Sequence, residues 1–93
     1  MDKIEQIKKA GDWGCSLRYS GTTHLLWIAS MAADKQLAGE PWTPMGVCQE
    51  YAEGKGKTQW SVWGAINYAL LHSRVSLAPR EAIIELVEAV CGA

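Results

Sequence analysis

The chain has 93 residues, of which 48% are hydrophobic and 20% are charged. This length suits one domain with a small core, and the composition excludes a disordered or fibrous protein. The formal net charge of −1 and the pI of about 6.1 count against a uniformly basic nucleic-acid-binding domain. They leave open a domain whose cations lie on a single face.

The three cysteines, Cys15, Cys48 and Cys91, cannot pair completely, and two of them lie within apolar helical patterns. No two Cys or His residues have zinc-finger spacing, so we interpret the cysteines as reduced, buried side chains and expect no metal and no cofactor. The sequence shows no signal peptide and no run of about 18 apolar residues. We therefore expect a soluble cytoplasmic protein with no membrane partner.

The first 21 residues give mixed signals. Residues 2–10 carry Ile4 and Ile7 among charged neighbours, which predicts a short amphipathic helix with one narrow apolar edge, ended by Gly11. Residues 11–16 place two glycines around Trp13, which predicts a loop whose tryptophan plugs the core from outside. The secondary structure of residues 17–21 is ambiguous from their sequence.

A helix of about four turns is predicted to begin at Thr22 or Thr23 and to continue to residue 38. His24, near its start, is expected to be a capping or surface residue, since no Ser, Cys or carboxylate is visibly placed to partner it. The helix is broadly apolar, so we expect it to be central. Its main stripe and the residues that widen it are Leu25, Ile28, Ala29 and Ala32, with Leu26, Ala33 and Leu37.

Residues 43–71 form the motif around which we expect the fold to be organised. Thr43 is suited to an N-cap and Pro44 to the first helical position. Trp42 is placed to pack on Val47 as a hydrophobic staple. The buried face of this first motif helix is predicted to contain Val47, Cys48, Tyr51 and Ala52.

A glycine-bearing turn and a second helix complete the motif. Gly54 and Gly56 are expected to end the first helix, because glycine accepts the left-handed conformation that commonly closes one. Thr58 is placed to cap the next helix. That helix has one unbroken apolar face, formed by Val62, Ala65, Ile66, Ala69 and Leu70. Two helices joined by such a turn have the outline of a helix-turn-helix.

The last helix is predicted from Pro79 to Cys91, with Gly92 closing it and residues 72–78 as a connector. Its buried side is expected to contain Ile83, Leu86, Val87 and Val90. Its opposite face is acidic, with Glu81, Glu85 and Glu88. Because there is no convincing strand and no internal repeat, we predict that residues 1–93 form one all-α domain of five or six helices containing a helix-turn-helix.

The order and spacing of these segments resemble the C-terminal DNA-binding effector domain of the sporulation-initiation response regulator of spore-forming Firmicutes. The resemblance covers most of the chain and is carried by IKKAG, THLLWIASMAAD, TPMGVCQEYAEGKGKTQWSVWGAINYAL and LAPREAIIELVEAV. Val62, Ala65, Ile66 and Ala69 match the buried register of the family's recognition helix. The resemblance implies a DNA-binding transcription regulator. Because the matched positions are mostly core positions, it supports the fold more firmly than the function.

The chain departs from this family at the positions that face DNA. The family carries arginines where this sequence has Ser61, Gly64 and Asn67. An arginine that reads bases or binds phosphate has no substitute in a glycine, so the family's target sequence does not carry over. The family's phosphoacceptor receiver domain has no counterpart in these residues, so its phosphorylation-driven dimerisation does not carry over either. A homodimer stays among the assemblies that we consider.

The candidate DNA-binding residues lie on the outward face of the second motif helix and in the turn before it. If this helix enters the major groove of double-stranded DNA, we expect Lys55 and Lys57 to contact phosphates, while Gln59, Ser61 and Asn67 read base edges. The full candidate set is Lys55, Lys57, Thr58, Gln59, Trp60, Ser61, Trp63, Gly64 and Asn67.

Trp60 and Trp63 are also compatible with two alternatives to a position in the DNA groove. Tryptophan is enriched at the energetic centre of protein interfaces, and Gly64 would let a partner approach closely, so the face can instead bind a protein. In the other alternative the long central helix folds over both tryptophans, which then belong to the core.

An enzyme is not expected. The two histidines, His24 and His72, lie in different elements, and no phosphate-binding loop, paired inward carboxylates or nucleophile elbow accompanies them. We therefore predict a sequence-specific DNA-binding transcriptional regulator of helix-turn-helix type. The alternative is a degenerate helix-turn-helix that acts as a protein-protein interaction module through its tryptophan-rich face.

Overall fold

The computed structural model describes residues 3–92, which fold into five helices and contain no strand. The helices are α1 (Ile4–Asp12), α2 (Ser20–Leu37), α3 (Pro44–Gly54), α4 (Gln59–Leu71) and α5 (Pro79–Cys91). The prediction of an all-α domain is therefore confirmed for this part of the chain. None of these helices is both long enough and apolar enough to cross a membrane.

Helix α2 is the centre of the fold, as its broad apolar surface predicts. It packs mainly against α4 and α5, and less extensively against α3 and α1. Its buried side chains include the whole predicted stripe and Ala33, whereas Leu26 is half-buried and Leu37 is exposed. The helix begins at Ser20, two residues before the predicted start, and these added residues make a close contact with α4.

That contact is at Gly21, where the backbones of α2 and α4 nearly touch. A Cβ atom built on Gly21 would lie 1.9 Å from the carbonyl oxygen of Ala65 and 2.8 Å from the backbone nitrogen of Ile66. Real Cβ atoms do not approach backbone so closely, so only glycine fits here. Gly21 therefore fixes how α4 lies on the central helix.

The apolar edge predicted for α1 is wrong. Ile4 and Ile7 are 53% and 56% exposed, whereas Gln6 is 1% exposed. The Gln6 amide nitrogen donates hydrogen bonds to the backbone oxygens of Ala29 in α2 and Leu86 in α5, each at 3.1 Å. A buried amide that finds partners loses little relative to water, so the helix can bury its polar side.

The end of α1 also differs from the prediction. The helix runs through Gly11 to Asp12, and the left-handed residue that follows it is Gly14, with φ of +81°. The expected start at Asp2 lies outside the described residues. Trp13 is 8% exposed and belongs to the core, which confirms the predicted plug. Its carbonyl oxygen accepts a hydrogen bond of 2.7 Å from the backbone nitrogen of Arg74 and so joins this loop to the connector after α4.

The predicted cap, first residue and buried face of α3 are confirmed. The Thr43 hydroxyl accepts a hydrogen bond of 3.0 Å from the Gly46 nitrogen, and Pro44 occupies the first helical position. Trp42 packs against the core, and its ring nitrogen donates to the Gln36 side chain at 2.8 Å. All four residues predicted for the inner face are buried, namely Val47, Cys48, Tyr51 and Ala52.

A Schellman turn closes α3. Gly56 has φ of +66° and donates its N–H to Glu53, while the Lys57 nitrogen donates to Ala52 at 2.9 Å. Gly54 is the last helical residue and has no left-handed backbone. Of the two predicted glycines, Gly56 is therefore the one that ends the helix.

The last helix has the predicted bounds, Pro79 to Cys91, and ends at Gly92 with φ of +78°. Ile83, Leu86 and Val87 are buried as predicted, whereas Val90 is only half-buried. On the opposite face Glu85 is half-buried, while Glu81 and Glu88 are exposed. The Glu81 carboxylate accepts a hydrogen bond of 3.0 Å from the Ala78 backbone nitrogen, which caps the start of α5.

Candidate nucleic-acid interface

Helix α4 begins at Thr58, whose hydroxyl accepts a hydrogen bond of 3.1 Å from the Ser61 backbone nitrogen. Its buried face is Val62, Ile66, Ala69 and Leu70, with Ala65 half-buried. Burial of this face against α2 and α3 directs the other side of the helix outward. The predicted cap and the predicted apolar face are therefore both confirmed.

The outward face of α4 is uncharged and largely open. Trp60, Gly64, Asn67 and Leu71 recur at spacings of four, three and four residues and are all exposed, Trp60 by 66% and Leu71 by 73%. Nothing lies within 4 Å of a Cβ built on Gly64. These four residues, which we call the α4 outer face, form a strip where another molecule can approach the helix backbone.

Trp63 does not belong to this strip. It is half-buried and packs against the core on the side of α4 that faces the starts of α3 and α5. There it lines an open cavity of 570 Å³ together with Met45, Arg80 and Ile84. The two tryptophans, which are neighbours on the predicted outward face, therefore have different environments.

The polar candidates on α4 also divide into two groups. Ser61 and Asn67 are exposed and free to meet a ligand. Gln59 is half-buried, and its side-chain oxygen is buried without a hydrogen-bond partner among the described residues. Its backbone oxygen accepts a weak hydrogen bond of 3.7 Å from the Cys48 thiol. Gln59 is thus tied to α3 more than to the outer face.

Lys55 and Lys57 are exposed on the turn that precedes α4. The Lys55 ammonium lies 5.7 Å from the centre of the Tyr51 ring, a cation–π distance. Neither lysine forms an ion pair with any residue in the range 3–92. Their charges are therefore available to an anion beside the N-terminus of α4, which itself favours negative charge.

His24 was not expected at this site, but it lies within electrostatic reach of the turn. Its Nδ1 atom is 2.7 Å from the Tyr51 hydroxyl, and the two rings meet edge to face at 5.3 Å. Burial lowers the pKa of His24 below its usual value, and the positive charges of Lys57 and Lys55 lower it further. The sequence held no signal for this placement, because His24 and the turn are separated by 30 residues of chain.

Charge is strongly segregated along the chain. Residues 13–33 and 54–80 contain no Asp or Glu and carry Arg18, Lys55, Lys57, Arg74 and Arg80, a formal charge of +5. The other residues contain four Lys or Arg and all ten Asp and Glu, a formal charge of −6. The acid-free segments include α4 and most of α2, which pack on each other. The net charge of −1 therefore conceals a basic region made of these two segments.

The lysines of α1 do not extend this region. Helix α1 packs on α5 and α2 and makes no contact with α4 among the described residues. Lys8 lies 3.8 Å from the Glu5 carboxylate, and Lys3 binds Asp34 at 2.8 Å. Lys3 and Lys8 are thus paired with acidic residues rather than added to the basic region.

A cluster of three aromatic rings marks the C-terminal end of α4, and no sequence pattern predicted it. The rings of Tyr68 and His72 lie 4.4 Å apart, and the Tyr19 ring contacts both at 5.4 Å. Tyr68 is 53% exposed and His72 is also exposed. Because Tyr68 and His72 are four residues apart, helical spacing alone brings this pair together, whereas Tyr19 arrives from the loop before α2.

The described residues contain no group of three or more His, Cys, Asp or Glu side chains arranged to hold a metal ion. Cys48 is buried and Cys15 and Cys91 are half-buried, all as free thiols. Burial raises the pKa of the Cys15 and Cys48 thiols, which favours the neutral form over the nucleophilic thiolate.

Comparisons of this chain with protein-family models, with curated proteins and with solved structures each gave no match.

Proposed function

We propose that this protein is a double-stranded DNA-binding transcription regulator in which α3 and α4 form a helix-turn-helix and α4 enters the major groove. The observation that carries this proposal is the charge segregation, with five cations and no acidic residue in the segments 13–33 and 54–80, which contain α4, the turn before it and most of α2. Phosphate neutralisation by Lys and Arg supplies most of the affinity of such proteins. The resemblance to the sporulation response-regulator effector domain supports the same role.

In this proposal the turn before α4 and the exposed side of α4 bind different parts of the DNA. Lys55 and Lys57 bind phosphates, assisted by the N-terminus of α4. Asn67 and Ser61 read base edges, an amide being suited to adenine. Gly64 allows the helix backbone to approach the groove floor, since it presents no side chain there.

The test is a titration of labelled duplex DNA at several salt concentrations, read by fluorescence anisotropy. We expect the wild-type protein to bind duplexes with a marked salt dependence. The double variant Lys55→Ala/Lys57→Ala should bind every duplex more weakly. Its slope of log K against log salt should fall by about 0.9 for each phosphate that the variant no longer neutralises.

Lys8→Ala is the matched control, because Lys8 is an exposed lysine on a helix that does not touch α4. It should leave the slope unchanged. Asn67→Ala should relax sequence preference while changing the slope little. Failure of the wild-type protein to bind any duplex at low salt would overturn the proposed function.

A second candidate is a protein-protein interaction module, and the exposure of Trp60 and Leu71 favours it. Large apolar side chains exposed together commonly mark a partner surface. In this case Trp60→Ala should weaken association with the partner by about 2 kcal/mol or more, as at an interface hot spot, and Lys55→Ala/Lys57→Ala should have a smaller effect. Binding of the wild-type protein to duplex DNA that is unchanged in Trp60→Ala and abolished in the lysine variant would favour the first candidate.

A further inference from the structure

We propose that the C-terminal end of α4 is a second phosphate-binding site, formed by Arg18 and Arg74 beside the aromatic cluster of Tyr19, Tyr68 and His72. This inference rests on the proposed binding of duplex DNA and adds a second anchoring point to it. It assigns a role to two arginines that lie outside the helix-turn-helix.

The aromatic cluster brings Arg18 to α4. Arg18 precedes Tyr19, whose ring stacks on His72 at 5.4 Å with an angle of 29° between the ring planes and meets Tyr68 edge to face. Arg18 itself is exposed. The loop that carries it is therefore held against the last turn of α4 by ring contacts rather than by an ion pair.

Arg74 reaches the same end of α4 from the connector. Its backbone nitrogen donates to the Trp13 carbonyl at 2.7 Å. Its side chain lies along the turn at Gly14, where a Cβ on that glycine would be only 2.9 Å from the Arg74 Nε atom. Arg74 is nevertheless exposed, so the Gly14 turn supports the side chain while leaving it open to solvent.

No carboxylate neutralises these arginines. Neither Arg18 nor Arg74 forms an ion pair within residues 3–92, and the segments 13–33 and 54–80 that contain them hold no Asp or Glu. The nearest acidic residue along the chain is Asp12, adjacent to Trp13. The Tyr68 hydroxyl adds a neutral donor of the kind that contacts phosphate.

The two basic ends are spaced to suit a duplex. Helix α4 has 13 residues, which at 1.5 Å per residue gives a length of about 20 Å. The major groove is about 12 Å wide, with a phosphate backbone on each side. A helix lying across the groove can thus place the Lys55–Lys57 turn at one strand and the arginine end at the other.

The experiment compares Arg18→Ala/Arg74→Ala with the wild-type protein and with Lys8→Ala in the same anisotropy titration. We expect weaker binding to all duplexes and a fall in the salt slope of about 0.9 for each phosphate left without its arginine, additive with the fall caused by Lys55→Ala/Lys57→Ala. Arg18→Lys/Arg74→Lys should keep most of the slope, since lysine retains the charge.

Thermal melts of each variant identify any loss of folding. Arg18→Lys/Arg74→Lys is expected to stay folded even if Arg18→Ala/Arg74→Ala does not. This inference alone would be overturned if the salt slope falls in Lys55→Ala/Lys57→Ala but equals the wild-type slope in properly folded Arg18→Ala/Arg74→Ala. If wild-type protein binds no duplex, the proposed function fails, and this inference fails with it.

Discussion

Gly21 lies against the backbone of Ala65, and among the glycines of the described residues it leaves the least room for a Cβ atom. We predict that Gly21→Ala lowers the free energy of unfolding by at least about 2 kcal/mol, because the added methyl group meets backbone that cannot rotate away. Urea denaturation measures the change.

Gly64→Ala is the matched control for this prediction, since Gly64 is also helical but faces open space. It should raise the free energy of unfolding by about 0.5 to 1 kcal/mol through helix propensity. Equal effects of the two substitutions would contradict the close packing at Gly21.

Gly56 is the left-handed residue of the turn before α4. Valine at this position should cost more than about 1 kcal/mol, because a β-branched residue tolerates positive φ poorly. Gly54→Val should change stability by less than about 0.5 kcal/mol, since Gly54 is helical and a Cβ there meets nothing. Comparison of the two urea midpoints checks the assignment, and a loss confined to Gly54→Val would contradict it.

At the scale of the element, α4 has two tryptophans in different environments. Trp63→Ala should lower the free energy of unfolding by about 2 kcal/mol, less than a fully buried tryptophan because Trp63 is half-buried. Trp60→Ala should change it by less than about 0.5 kcal/mol, because this ring is 66% exposed. Thermal melts of both variants test the difference, and an equal loss in both would show that Trp60 is also packed.

Helix α1 shows how an element can be located correctly and its orientation predicted incorrectly. Its apolar residues Ile4 and Ile7 indicate one face, but the face that packs on α2 and α5 contains Gln6 and Ala10. The Gln6 amide is satisfied by two helix carbonyls from different elements. Periodicity alone cannot reveal such partners, because they come from residues 23 and 80 positions away.

At the scale of the whole molecule, His24 links stability to pH where α2, α3 and the basic turn meet. Its folded-state pKa is lowered, so the folded protein binds the proton less readily than the unfolded chain. The contribution of His24 to the free energy of unfolding is therefore fully present above its pKa in the unfolded chain, about 6.5. It is lost as the pH falls from there through the lower pKa of His24 in the folded protein. We predict a smaller loss of stability between pH 7.5 and pH 5 in His24→Gln than in the wild-type protein.

Urea denaturation at both pH values measures this difference. His72→Gln serves as the control histidine, since it lies in the aromatic cluster rather than beside the lysine turn. Identical pH dependence in wild-type and His24→Gln proteins would contradict the role assigned to His24.

Much of the candidate site follows from the sequence, because its elements are defined by local chemistry. Thr43 with Pro44 and Thr58 predict the starts of α3 and α4, and Gly54 with Gly56 predict the turn between them, of which only Gly56 is left-handed. The exposure of Ser61 and Asn67 follows from the apolar repeat on the other side of α4. The burial of Gln59 and Trp63 does not follow from it, because they lie at the edge of the apolar stripe, where neighbouring helices decide burial.

The sequence by itself determined the five helices to within a few residues and the caps of α3 and α4, since these depend on residues within a few positions of one another. It also indicated the central position of α2 through the breadth of its apolar surface. Only the tertiary structure decided which side of α1 is buried, why Gly21 must be glycine and which aromatic rings join the loop before α2 to the end of α4. Those features join residues far apart in the chain, such as Gly21 with Ala65 and Tyr19 with His72. Local periodicity carries no information about such pairs, because the approach of two helices is set by packing over the whole core.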